Sequence, residues 1–91
     1  MQHFLLINHL VDDYILKRVA YRAEHLALAN RFFEEGHLVM AGALTDPADT
    51  SVLVFKVDDI AVIQDFIQQD PYAKAGLIHS FEIRAWNVVI G

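Results

Sequence analysis

Apolar residues fall along this chain in two rhythms. Phe4, Leu5, Leu6 and Ile7 are apolar at consecutive positions between His3 and Asn8, and Val52, Leu53, Val54 and Phe55 repeat the pattern. Short runs of this kind predict strands buried on both faces. Phe81, Ile83 and Ala85 alternate instead with Ser80, Glu82 and Arg84, which predicts an edge strand from about Ile78 to Trp86. Another strand is expected from His37 to Leu44, with Gly42 as a bulge or a point of close approach. Thr45-Asp46-Pro47-Ala48-Asp49 is turn chemistry that returns the chain into Ser51 to Val57 as a hairpin.

Helical spacing governs the rest. Asp12 and Asp13 offer an N-cap for a helix running to about Glu35, where Gly36 supplies the left-handed position beyond the end. At about 100° per residue, Ile15, Val19, Leu26 and Phe33 align as the expected core stripe, with Arg22 close to it. Tyr14, Tyr21, His25, Leu28 and Phe32 form a second stripe roughly 100° further round, and one core does not need two. The second is read as a pocket wall or a subunit contact. Asp58-Asp59 caps a second helix in which Ile60, Ile63 and Ile67 repeat, as do Val62 and Phe66. That helix stops before Pro71, which turns Asp70 away from helical angles.

Strand, helix, strand, strand, helix, strand, joined by right-handed crossovers, predicts a single α+β domain over residues 1–91 of ferredoxin-like βαββαβ topology. The first and third strands, apolar on both faces, take the centre of the antiparallel sheet. Two helices cover one face only, and a second copy packed sheet to sheet is the simplest cover for the other. The composition supports this, since 55% apolar residues in a 91-residue chain exceed what so small a core hides. A homodimer is the expectation.

Charge and residue usage exclude several functions. A formal charge of -5 lacks the basic surface that binds nucleic acid, and Ser51 to Val57 lacks the stacking aromatics of an RNA-binding sheet. There is no cysteine, so disulfides, thiolate metal sites and cysteine nucleophiles are out. A reducing, cytoplasmic setting suits this composition. The N-terminal run has no basic leader pattern and is broken by Asn8 and Asp12-Asp13, and no stretch is long enough to span a bilayer. The five histidines show no ligand spacing, so no metal and no cofactor are expected.

Candidate chemistry centres on two places. Asp70-Pro71 is a common helix-start arrangement, sufficient in itself to explain the aspartate. His25 reads equally as a histidine at the core edge or as an acid/base group. Arg22 near the core needs an anionic partner, either Asp70 or a substrate carboxylate or phenolate. Tyr72 either packs or hydrogen-bonds into a site.

Arg22-x-x-His25-Leu26, Gly36-His37-Leu38 with Ala41-Gly42, and Asp70-Pro71-Tyr72 followed by Ala75-Gly76 together resemble the YCII (YciI-like) family over nearly the whole chain. The resemblance implies a dimeric α+β barrel of ferredoxin-like subunits with a His-Asp pair at the site, here His25 and Asp70. It also implies chemistry like that of a related dehydrochlorinase acting on a chlorinated hydroxyhydroquinone. The Thr45 to Thr50 loop and Ala85-Trp86 depart from the family pattern, which bears on the roof of the pocket and so on the substrate. Two readings follow. In one, His25 is a general acid/base, Asp70 orients it, and Arg22 and Tyr72 bind a small aromatic or lactone-like substrate in a lyase- or isomerase-type reaction. In the other, the protein is a non-catalytic dimeric module that binds a small ligand or a partner protein.

Overall fold

The computed structural model describes all residues, 1–91. Its strands are β1 (Gln2–Leu10), β2 (Leu38–Ala43), β3 (Thr50–Val57) and β4 (Ile78–Trp86). They form one antiparallel sheet in the order β2-β3-β1-β4. The two runs that are apolar at every position are thus the central strands, as their pattern requires. The helices are α1 (Tyr14–Lys17), α2 (Arg22–Glu34), α3 (Ala61–Gln69) and α4 (Pro71–Lys74), with a 3-10 turn over Arg18–Ala20. This is the α+β, ferredoxin-like arrangement expected from the order of elements.

The core lies between the helices and one face of the sheet. Leu6 pairs with Leu53, and Phe55 and Val57 follow on the same face. These four bury against Leu28 and Phe32 from α2, Ile63 and Phe66 from α3, and Leu38. Phe66 meets Phe32 and Phe55 with ring centroids 5.2 and 5.5 Å apart, both near edge-to-face. A satellite cluster of Leu10, Tyr14, Tyr72 and Leu77 closes the far end, where β1 runs out toward α1 and α4. The candidate site lies beside this satellite cluster.

Local chemistry explains most element ends. The Asp59 carboxylate accepts the Ala61 N–H at 2.9 Å at the start of α3. Gly36 ends α2 at φ +83°, with the Gly36 and His37 N–H groups donating to the Phe33 and Phe32 carbonyls. Gly76, at φ +76°, lets the Leu77 N–H turn back to the Tyr72 carbonyl and ends α4.

Three expectations are corrected. The helix predicted from Asp12 to Glu35 is interrupted: Asp13 sits at φ 60° without a side-chain cap, and the 3-10 turn and Tyr21 separate α1 from α2. The supposed core stripe of Ile15, Val19, Leu26 and Phe33 is exposed on both sides of that break, while Tyr14, Leu28 and Phe32 of the second stripe are buried; with two comparable apolar stripes, periodicity alone does not say which one meets the sheet. The register irregularity in β2 falls between Leu38 and Met40 rather than at Gly42, and a Cβ at Gly42 would meet nothing within 4 Å. Gly42 is therefore neither a bulge nor a close approach.

Candidate functional site

Asp70 is the hinge of the site. Pro71 holds it extended (φ -66°, ψ 115°) between α3 and α4, and its Oδ1 accepts the Tyr72 N–H at 3.0 Å. That is the local capping arrangement read from the sequence. The same Oδ1 also lies 2.8 Å from His25 Nδ1, on the second turn of α2. Asp70 is 2% exposed, so the carboxylate is withdrawn from water and held by partners 45 and two residues away. A carboxylate accepts, so His25 Nδ1 donates, and in the neutral imidazole that leaves the lone pair on Nε2.

Aromatic contacts fix the imidazole plane. Tyr72 stacks on His25 with centroids 3.8 Å apart and planes 7° from parallel, and Phe66 approaches with ring planes at 79°. One side chain thus covers a face of the ring while another packs near-perpendicular to it. Tyr14 stands edge-on to Tyr72 at 5.7 Å. The Tyr72 hydroxyl is shut off from solvent and has no hydrogen-bond partner. Burial, first, and Tyr14, second, push this phenol above its ordinary value, against the opposing pull of Arg22 and Arg18. It remains protonated at physiological pH.

A cavity of about 170 Å³ opens beside the pair. His25, Arg22, Arg18, Tyr14 and Tyr72 line one side; Asn8 and Ser51 lie on the sheet, with Ala41, Gly42 and Ala43 from β2. Those small residues leave the width that larger side chains would fill. Asp70 does not line this cavity but a second one, bounded by α3, α4 and β4. His25 thus faces one cavity and Asp70 the other, while Asn8 and Ile78 line both.

Of the four residues singled out in the sequence, His25, Asp70 and Tyr72 are brought together, and Arg22 shares the first cavity with His25 and Tyr72 but not with Asp70. Arg22 departs from expectation in being exposed rather than near the core, and of the two partners the sequence allowed it does not take Asp70, whose sole ion-pair partner is His25. Arg22 opens the first turn of α2 close to the stripe of Val19, Leu26 and Phe33, which is the exposed one. Arg18, Asn8 and Ser51 were missed. Arg18 lies four residues before Arg22, and Asn8 is the polar interruption of the buried phase of β1. Asn8 is 4% exposed and its Nδ2 donates to Ser51 Oγ at 3.2 Å across the β1–β3 pair.

The sequence matches the model of the YCII-related domain over residues 1–87. No curated protein matches it. Among solved structures, it is similar to 5-chloro-2-hydroxyhydroquinone dehydrochlorinase from Burkholderia phenoliruptrix AC1100, in complex with 2,5-dihydroxybenzoquinone. That likeness has a TM-score of 0.78 at 19% identity and covers 93% of each chain. It is also similar to an antibiotic biosynthesis monooxygenase, at a TM-score of 0.58 and 11% identity, over 99% of this chain and 100% of that one. At such identities the likenesses speak to the fold. No helix is long and apolar enough to cross a membrane.

Proposed function

The chain belongs to the YCII-related domain family, and on that premise we propose that it is a small acid–base enzyme. Its chemistry would be proton transfer on a one-ring molecule, with elimination or isomerisation as the outcome. The observation that carries this reading is the 2.8 Å contact between His25 Nδ1 and Asp70 Oδ1 beside an open cavity. With Nδ1–H engaged, Nε2 is the base. It takes a proton from a ring hydroxyl, or from carbon beside a carbonyl, and becomes imidazolium. The Asp70 carboxylate stabilises that cation and keeps the ring from turning. Electron density left on the substrate then either expels an anionic leaving group, which completes an elimination, or is reprotonated elsewhere, which completes an isomerisation.

Arg22 steadies the negative charge that develops on the substrate. Tyr72 serves by stacking on the imidazole, a positioning role. The reading takes residues 1–91 as one domain acting in the cytoplasm as a homodimer, with no cofactor. The dehydrochlorinase with the same fold supplies the natural first compound. Chloride release from 5-chloro-2-hydroxyhydroquinone, followed against a buffer blank, is expected to be faster with the protein and to collapse in His25→Ala. A specific ligand bound beside His25 and no accelerated proton transfer on this compound or related phenols and lactones would leave the non-catalytic binding module in its place.

A further inference from the structure

The charges around the cavity are one-sided. Twelve aspartates and glutamates give the chain its formal charge of -5, yet none of them lines the space; its formally charged residues are Arg18 and Arg22. Neither guanidinium has a carboxylate within ion-pair distance, and neither side chain makes a hydrogen bond. Arg18 is half-buried and sits over the Tyr14 ring at 5.2 Å, a cation–π contact that holds it in place without neutralising it. A partly desolvated, uncompensated cation is unfavourable unless an anion visits it. The arginines are four residues apart across the interruption before α2. Helix α2 begins at Arg22 without a side-chain cap, and Glu24 in its first turn, outside the cavity lining, offsets the positive end of the helix dipole.

Size limits what the anion is attached to. A cavity of about 170 Å³ is close to the roughly 150 Å³ apolar cavity that accommodates benzene. Nine of its fifteen lining residues are hydrophobic, Leu26, Ala29 and Leu53 among them. It suits one ring with a charged head.

We propose that the cavity selects a single-ring organic anion whose charged oxygens, a carboxylate or an ionised ring hydroxyl, are held jointly by Arg18 and Arg22. Arg18 is then a substrate-binding residue. This deepens the small-molecule reading above and rests on its choice of cavity, but it concerns binding rather than proton transfer.

The test uses benzoate as the probe, with benzamide as a neutral ring and inorganic phosphate as a ringless anion, titrated by calorimetry and by the arginine Nε–Hε signals. Benzoate is expected to bind at least tenfold more tightly than either control and to move the Arg18 and Arg22 signals. Arg18→Gln is expected to weaken it roughly tenfold or more, the loss of one charge-assisted hydrogen bond. Arg18→Lys retains part of the affinity, and an unchanged melting temperature in both variants excludes misfolding. Equal binding of benzoate and benzamide, equal binding of benzoate and phosphate, or indifference to Arg18→Gln in the folded variant would each overturn the proposal. Benzoate bound through Arg18 by a protein that turns nothing over would end the catalytic reading and leave this site standing. Turnover of a neutral compound indifferent to Arg18→Gln would do the reverse.

Discussion

One carboxylate oxygen on Asp70 both caps α4 and holds His25, and two substitutions separate those roles. Asp70→Asn keeps an oxygen for the Tyr72 N–H and removes the charge that stabilises an imidazolium. It is expected to melt close to the parent while proton-transfer rates fall by about 10²-fold or more. Asp70→Ala loses the cap as well, and should cost about a further 1 kcal/mol of stability by chemical denaturation. Tyr72 makes a contrary prediction. Its hydroxyl is buried without a partner, and such a group costs about 1–3 kcal/mol, so Tyr72→Phe should be neutral to stabilising. Because burial and Tyr14 raise its phenol, the associated stability is complete below the ordinary phenol range and lost as pH rises through the raised value. Alkaline denaturation curves should therefore fall less steeply in Tyr72→Phe. The Asp70 cap was legible because it is local. Its contact with His25 spans 45 residues, and no propensity or periodicity reports on such a distance, so only the family resemblance pointed there. For Arg22 the sequence left two partners open, Asp70 or a substrate anion, and the Asp70 carboxylate is taken by His25.

Among the elements, strands were read more faithfully than helices. A strand's face is fixed by a period of two, and the unbroken apolar runs identified β1 and β3 as central. A long helical stretch with two comparable apolar stripes offers no such decision. On both sides of the interruption at Arg18–Tyr21 it is the stripe of Tyr14, Leu28 and Phe32 that is buried and the stripe of Ile15, Val19, Leu26 and Phe33 that is exposed. The short α4 depends on its terminator, because Gly76 stands at φ +76° where a β-branched residue is strained. Gly76→Val is expected to destabilise by about 1–2 kcal/mol and to disturb Tyr72 and, through it, His25; the aromatic signals of both rings report the second effect. Phe66, fully buried and packed on Phe32, Phe55 and His25, should cost about 3–5 kcal/mol as Phe66→Ala.

At the scale of the whole molecule, Leu5, Ile7, Val52 and Val54 lie on the sheet face away from the helices, by alternation with Leu6 and Leu53 in the β1–β3 register. Met40 of β2 pairs beside Val54, and Val89 and Ile90 beyond β4 are almost fully exposed. An apolar sheet face of this kind is the reason for proposing a homodimer. Sedimentation of the wild type at micromolar concentration should give twice the chain mass, and Val52→Lys should give a folded monomer. The acid–base site is the central claim, and its most direct measurement is solvent deuterium incorporation into small phenols and lactones, followed by NMR for wild type and His25→Ala in parallel. The wild type is expected to exchange a ring or α-carbon proton well above the buffer rate, with His25→Ala slower by about 10²- to 10⁴-fold. Equal rates in the two proteins would contradict it.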